Sequence, residues 1–207
     1  MTLMRTPFTV LAVMLACSTL QGQTLSKAAK DGIALVNDKQ YRFAIPYLED
    51  AREEQPAEAA IEEHLALAYL YAATGPDQKQ MMTKAGVAAR RAIDLGGCAA
   101  FLVDRSLEGW TSSSVMNVER GRLMVCKAKL EYRAERADTA FSIVPSQIEE
   151  IDYNSRKGKD KSVFHVHLKD KDALGKKKYD FRPASFTERE PDLLMELAGQ
   201  YWNLQQK

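Results

Sequence analysis

The first half of the chain is organised by residues 32–56, GIALVNDKQYRFAIPYLEDAREEQP. Apolar residues recur in this stretch at the spacing of amphipathic helices. Pro56 marks the end of the second of two helices, because proline is common just beyond a helix C-terminus. The faces where the two helices would meet carry small and apolar residues, namely Gly32, Tyr41, Ala44, Leu48 and Ala51. The stretch therefore predicts a helical hairpin.

A second hairpin is predicted directly after the first. Its first helix begins near Ala57 and stops at Thr74-Gly75-Pro76, and its second runs from about Gln78 to Gly96-Gly97. Matching positions carry Leu65, Ala66, Tyr69, Ala85, Ala89 and Ala92. The succession of small, aromatic and Ala positions, with Pro56 at the first exit, resembles the tetratricopeptide (TPR) repeat. A generic four-helix bundle with small-residue contacts is the alternative.

The TPR resemblance implies a docking scaffold rather than a reaction centre. It implies that the concave helical face takes a peptide or protein partner. The residues expected near that groove are Asn37, Tyr41, His64, Tyr69 and Tyr71. This expectation is an analogy between folds.

After Gly97 the apolar pattern changes from helical to alternating, which predicts six or seven short strands. An amphipathic helix from Glu188 to Asn203 follows them. This order, with the strands Ile148-Glu149-Glu150-Ile151 and Tyr179-Asp180-Phe181, resembles pleckstrin-homology-like (PH-like) and GRAM-type domains. The resemblance implies an antiparallel β-barrel capped by a C-terminal helix, with Trp202 plugging one end. An open α+β sheet with one helix is the alternative.

The N-terminus has the pattern of an export signal. Arg5 precedes an apolar run from Phe8 to about Leu20, and small residues follow. The run is shorter than the roughly 20 apolar residues of a transmembrane helix. The segment Met14-Leu15-Ala16-Cys17 resembles a bacterial lipobox, which would make Cys17 a lipidation site.

These observations divide the chain into three predicted parts. They are a signal peptide over residues 1–22, a TPR-like helical module over 23–97 and a PH-like domain over 98–207. The overall class is α+β. The expected location is periplasmic or outer-membrane-associated, and lipid-anchored if Cys17 is modified.

Cys98 and Cys126 are the two cysteines that remain after the signal. If residues 98–105 pair with 119–126 in an antiparallel hairpin, the two cysteines face each other at the hairpin's open end. An oxidising compartment would then allow a disulfide. Two free buried thiols are the alternative.

The PH-like resemblance implies that the basic inter-strand segments can contact anionic lipid headgroups. Their cations are Arg156, Lys157, Lys159, Lys161, Lys176, Lys177 and Lys178. Aromatic residues that would stack on bases are absent from these segments, which argues against nucleic acid as a partner. Solvated loops are the alternative interpretation.

His165-x-His167 has the most metal-like spacing in the chain, because alternate residues of a strand share one face. A zinc site needs further ligands, and Cys126 or Asp180 are the candidates. A half-exposed strand with apolar residues on its other face explains the same pattern.

The sequence carries no phosphate-binding glycine loop, no His-Glu-x-x-His and no Gly-x-Ser-x-Gly. We therefore assign no catalytic residue, cofactor or metal site from the sequence. The net charge of +1 adds no overall attraction to nucleic acid or membranes. The function expected is non-enzymatic peptide or protein binding in the bacterial cell envelope. A membrane-surface adaptor is the alternative, and a metal-dependent enzyme at His165 and His167 is a third hypothesis.

Overall fold

The computed structural model describes residues 24–107, 118–134, 139–153 and 162–204. Several predictions fall outside this part of the chain. They are the signal peptide over residues 1–22 with Cys17, and the cations Arg156, Lys157, Lys159 and Lys161.

Four helices form the N-terminal half as two successive hairpins. They are α1 (Lys27–Asn37), α2 (Tyr41–Glu54), α3 (Ala59–Ala72) and α4 (Gln78–Asp94). The hydroxyl of Ser26 begins α1 by accepting a hydrogen bond from the backbone N–H of Ala29 at 3.1 Å. The predicted helical boundaries therefore hold to within a few residues.

Small residues allow the helices to pack closely. A Cβ atom added at Gly32 would lie 2.6 Å from Cγ of Leu48, so α1 and α2 meet at a distance that only glycine permits. Ala85, Ala89 and Ala92 of α4 are fully buried in the same way. Helix α3 is apolar on nearly every side, because it contacts the other three helices and the sheet.

Seven antiparallel strands follow, and the described residues form one sheet in the order β4-β3-β2-β1-β7-β6-β5. The strands are β1 (Cys98–Ser106), β2 (Val118–Cys126), β3 (Leu130–Ala134), β4 (Phe141–Ile143), β5 (Ile148–Tyr153), β6 (Phe164–Leu168) and β7 (Lys178–Pro183). Residues 127–129 connect β2 to β3.

The predicted β-barrel is confirmed in part. A short 3₁₀ turn (Pro145–Gln147) leads from β4 to β5, yet these two strands form the opposite edges of the sheet, and no ladder joins them among the described residues. The described strands form a curled antiparallel half-barrel, and the predicted C-terminal helix follows it. Its concave side buries Phe101, Tyr132, Phe164 and Phe181.

The register of β1 and β2 is the predicted one. Cys98 lies opposite Cys126, and Arg105 lies opposite Glu119. The sulfur atoms of the two cysteines form a disulfide with an S–S distance of 2.00 Å. The bridge joins the open end of this hairpin.

Helix α5 (Arg189–Trp202) contacts α4 and β2, and its Trp202 is partly buried against the core. Its Trp202 indole donates to the carbonyl oxygen of Cys126 at 2.9 Å, and its Tyr201 hydroxyl donates to the carbonyl oxygen of Arg90 at 3.1 Å. Buried apolar residues of the helices and the sheet form one continuous core. In the part of the chain that is described, no helix is long and apolar enough to cross a membrane.

Candidate functional site

A cavity of about 610 Å³ opens where the first hairpin meets the outer face of the sheet, and we call it the junction pocket. The helical half contributes Tyr41, Tyr71 and, from the turn between α1 and α2, Lys39. The sheet and the segment after it contribute Leu102, Arg120, Gly121, Arg122, Arg133, Ala134 and Ala184. A smaller cavity beside it adds Asn37, Val36 and Leu67. Apolar walls with a few convergent polar groups are typical of ligand pockets.

Two tyrosines form the aromatic wall of the junction pocket. The ring centroids of Tyr41 and Tyr71 are 5.2 Å apart, at an interplanar angle of 32°. The Tyr71 hydroxyl accepts from the N–H of Leu102 at 2.9 Å and donates to its carbonyl oxygen at 3.3 Å. Burial raises the pKa of both tyrosines, so their hydroxyls stay protonated and neutral.

Four cations line the pocket, and they differ in their partners. Arg120 Nε donates to Asp104 Oδ1 at 3.0 Å, and Arg133 Nε donates to Glu131 Oε1 at 2.6 Å. Arg122 instead donates to the neutral amide oxygen of Asn37 at 3.0 Å.

Among the residues described, no carboxylate lies within ion-pair distance of Arg122 or Lys39. Lys39 is exposed at the turn between α1 and α2, where its φ is 61°. In the described part of the chain, the junction pocket therefore presents two cations that form no close ion pair with a carboxylate, beside an aromatic and apolar wall.

The predicted groove residues separate into three groups. Asn37, Tyr41 and Tyr71 come together around the junction pocket. His64 is half-buried nearby, with its Nδ1 donating to the carbonyl oxygen of Ala60 at 2.7 Å, but it does not line the cavity. Burial lowers the pKa of His64, and the positive charge of Arg122 lowers it further.

The placement of Tyr69 in the groove is wrong. Its side chain is 1% exposed, and its hydroxyl donates to Glu49 of α2. Lys84 of α4 lies 5.1 Å from its ring centroid. Tyr69 therefore joins α2, α3 and α4 inside the helical half.

A second cavity of about 310 Å³, the sheet-end pocket, lies at the far end of β1 and β7. Its lining residues are Arg105, Ser106, Leu107, Lys176, Lys178, Tyr179 and Asp180. Two of the predicted lipid-facing cations, Lys176 and Lys178, are therefore brought together here. Lys177 is exposed but does not line the cavity.

Arg105 is buried at the base of the sheet-end pocket, with an exposed fraction of 4%. Its guanidinium carbon lies 5.0 Å from the ring centroid of Tyr179, 5.2 Å from that of Phe141 and 5.3 Å from that of Tyr132. Its Nη1 donates to the carbonyl oxygen of Thr139 at 2.6 Å. Its Nε and the hydroxyl of Ser106 have no hydrogen-bond partner among the described residues.

The two histidines of β6 share a face as predicted, but they take different partners. His165 Nδ1 lies 2.5 Å from Asp180 Oδ1, and His167 Nε2 lies 3.1 Å from Asp152 Oδ1. Burial alone would raise the pKa of Asp180, but His165 and Lys178 outweigh it and hold that pKa below its usual value. Cys126 is wrong as a ligand candidate, because it lies on β2 in the disulfide, and β1 and β7 separate it from β6.

Sequence reasoning missed the cations of the junction pocket. Arg120, Arg122 and Arg133 do not stand in a basic run, and only the register of β2 and β3 brings Arg122 opposite Arg133. Alternating arginines on a predicted strand were the available signal, and they become informative only when the neighbouring helix is known.

No family model matches the chain, and no curated protein matches it. Similar solved structures include the C-terminal domain of an unknown protein from Leishmania infantum, which is 17% identical with a TM-score of 0.36. That match covers 55% of this chain and 95% of the other. They also include the Slm1-PH domain in complex with inositol 4-phosphate, which is 16% identical with a TM-score of 0.32 and coverages of 47% and 94%.

The order of elements in this chain agrees with the predicted PH-like outline. A curled antiparallel sheet of seven strands is followed by a C-terminal helix, and helices precede it. At these TM-scores the solved structures say nothing of what the chain binds.

Proposed function

We propose that this chain is a non-enzymatic binding protein of the bacterial cell envelope, and that its junction pocket takes an acidic peptide segment of a protein partner. The observation that carries this proposal is the pair of cations, Lys39 and Arg122, without a carboxylate partner in the described part of the chain. An arginine fork matches the geometry of a carboxylate, and hydrogen bonds between charged groups are about twice as strong as neutral ones.

The walls of the junction pocket favour a peptide over a simple ion. Tyr41, Tyr71 and Leu102 offer apolar surface beside the cations, and such surface binds the apolar side chains that accompany carboxylates in a peptide. The volume of about 610 Å³ lies within the range of pockets for drug-sized ligands. The TPR resemblance of the first hairpin supports the same class of partner.

The binding proposal is tested with an array of acidic peptides that carry leucine or phenylalanine beside Asp and Glu. A matched array replaces every Asp and Glu with Asn and Gln. We expect binding to the acidic array alone, with affinity falling about tenfold or more in Arg122→Gln, since a charged hydrogen bond contributes about 1.5–3 kcal/mol.

A pair of lysine variants provides the control for total charge. Lys39 lines the pocket and Lys30 is exposed elsewhere on the same hairpin. Lys39→Gln should weaken binding and Lys30→Gln should not. Equal binding to both arrays, or equal loss in both lysine variants, would contradict the proposal.

The second candidate function is a membrane-surface adaptor that uses the sheet-end pocket. Lys176 and Lys178 flank the buried Arg105, and the Lys178 ammonium is paired with Asp180 at 2.9 Å. Each cation near an anionic membrane contributes about 1 kcal/mol. These cations, rather than the likeness to the Slm1-PH domain, support the candidate.

Vesicles separate the second candidate from the first. We expect Lys176→Gln/Lys178→Gln to lose binding to phosphatidylglycerol vesicles, and the native protein to lose it at high ionic strength because exposed charges are screened. The pair Lys30→Gln/Lys127→Gln removes two exposed cations elsewhere and serves as the control. Equal binding to neutral phosphatidylcholine vesicles would count against the adaptor.

Export is the remaining part of the proposal, and it rests on the N-terminal sequence. The mass of the protein isolated from its own cell envelope tests it. A chain that begins at Cys17 with acyl groups supports a lipoprotein, and one that begins near Gln23 supports a periplasmic or secreted protein. An unprocessed chain that begins at Met1 would contradict export.

A further inference from the structure

The outer face of β5 and β6 carries a group of metal-ligating side chains that the binding functions above do not use. Glu150 and Asp152 alternate along β5 and share one face. The register places Glu150 opposite His167 and Asp152 opposite His165. The other face of the same strands is apolar, with Ile151 and Val166 buried.

Three of these residues converge closely enough to share an ion. Glu150, Asp152 and His167 each offer one ligand atom, and the three atoms lie within 4.8 Å of one another. Ligands held at about 2.0–2.2 Å from one zinc ion lie roughly 3.3–3.6 Å apart in a tetrahedral site. His167 Nε2 and Asp152 Oδ1 are already 3.1 Å apart. Small side-chain shifts would therefore complete the coordination.

The basic groups beside this cluster are engaged by Asp180 of β7. Lys178 stands opposite His167 in the sheet, and its Nζ is held by Asp180 at 2.9 Å. His165 also bonds to Asp180. All three candidate ligands are half-buried on strands, which limits how far they can move apart.

We propose that Glu150, Asp152 and His167 form a site for a divalent transition-metal ion, and that zinc is the ion it takes. An imidazole nitrogen with two carboxylate oxygens suits zinc better than magnesium or calcium, which prefer oxygen ligands alone. Three protein ligands leave the fourth position of a tetrahedral ion to water or to a group from a partner. His167 is therefore the ligand of the His165-x-His167 pair, and His165 is not.

The test is calorimetric titration of Zn²⁺ into the full chain, prepared without a tag and stripped by a chelator. We expect one saturable site per chain and binding that His167→Gln weakens by at least about tenfold, because even the loss of a supporting partner costs 10–100-fold. Glu150→Gln should act in the same direction. Circular dichroism establishes that each variant is folded.

His165→Gln is the matched control, because it removes a histidine from the same face of the same strand. Its affinity for Zn²⁺ should stay close to that of the native protein. The site would be overturned by an absence of saturable binding, or by an equal loss in His165→Gln and His167→Gln. Displacement of Zn²⁺ by an equal concentration of Mg²⁺ would overturn the choice of zinc.

Discussion

The junction pocket and the sheet-end pocket both collect positive charge, but they do so on different surfaces. The junction pocket sets Lys39 and Arg122 against two tyrosines and a leucine from three separate elements. The sheet-end pocket sets two exposed lysines around an arginine whose guanidinium already contacts three aromatic rings. Cations beside an apolar surface, as in the junction pocket, favour a peptide. Exposed cations, as in the sheet-end pocket, favour a membrane surface with anionic headgroups. The basic character of a segment therefore does not by itself identify its partner.

The two pockets also differ in what they contribute to stability. Tyr71 ties α3 to β1 through two hydrogen bonds to Leu102, so we expect Tyr71→Ala to lower the free energy of unfolding by about 3 kcal/mol. Lys178→Ala at the sheet end should lower it by no more than about 1 kcal/mol, because the partly exposed pair of Lys178 with Asp180 contributes little. Urea unfolding measures both.

Tyr71→Phe serves as the control for the aromatic contact. It keeps the ring and removes the hydroxyl, so the expected loss is about 1 kcal/mol. If Tyr71→Ala and Lys178→Ala had equal effects, the junction would not be a structural joint between the helices and the sheet.

The disulfide provides a second way to distinguish the roles of the two ends of the sheet in stability and in binding. Cys98 begins β1 and Ser106 ends it, so the bridge lies roughly 26 Å along the strand from the sheet-end pocket. Cys98→Ser/Cys126→Ser should lower the free energy of unfolding by about 3 kcal/mol, because the bridge closes a loop across 28 residues. Binding to phosphatidylglycerol vesicles should remain unchanged. Two titratable thiols in the native protein would contradict the bridge.

The smallest expected effect is the change in the pKa of His64 that the charge of Arg122 in the junction pocket causes. Because burial and Arg122 lower the pKa of His64, its imidazole should titrate below 6.5, and Arg122→Gln should raise that value. The unfolded state then binds a proton more readily than the folded state, so the contribution of His64 to stability is present above pH 6.5 and is lost as the pH falls through the lower, folded pKa.

An NMR titration of His64 checks this effect. Lys178→Gln is the control, because it removes a cation at the sheet end and should leave the pKa of His64 unchanged. A His64 pKa at or above 6.5 in the native protein would show that burial and Arg122 do not act on it as described.

The sequence was most informative where local chemistry determines the structure. The helical segments begin or end near Ser26, Pro56 and Gly97. The spacing of Cys98 and Cys126 matches the register of β1 and β2. Barrel closure was not predictable in this way. The alternating pattern reports which side of a strand is buried, but the curvature that would bring β4 to β5 depends on the whole sheet.

The candidate site was harder to predict than the fold, and α3 shows why. Tyr69 and Tyr71 are two residues apart on a helix that is buried nearly all round, so the apolar period does not show which tyrosine faces the groove. The structure turns Tyr69 toward α2 and α4, and Tyr71 toward Leu102. His165 and His167 were separated in the same way by their neighbours on β7 and β5, which the spacing alone does not specify.

The most direct test of the account is to measure both ligands against both sets of cations. Acidic peptides and phosphatidylglycerol vesicles are titrated with Arg122→Gln and with Lys176→Gln/Lys178→Gln. We predict that Arg122→Gln weakens peptide binding about tenfold and leaves vesicle binding unchanged, whereas the double lysine variant does the reverse. Equal losses of both ligands in both variants would mean that only total charge matters, and would contradict the assignment of peptide binding to the junction pocket.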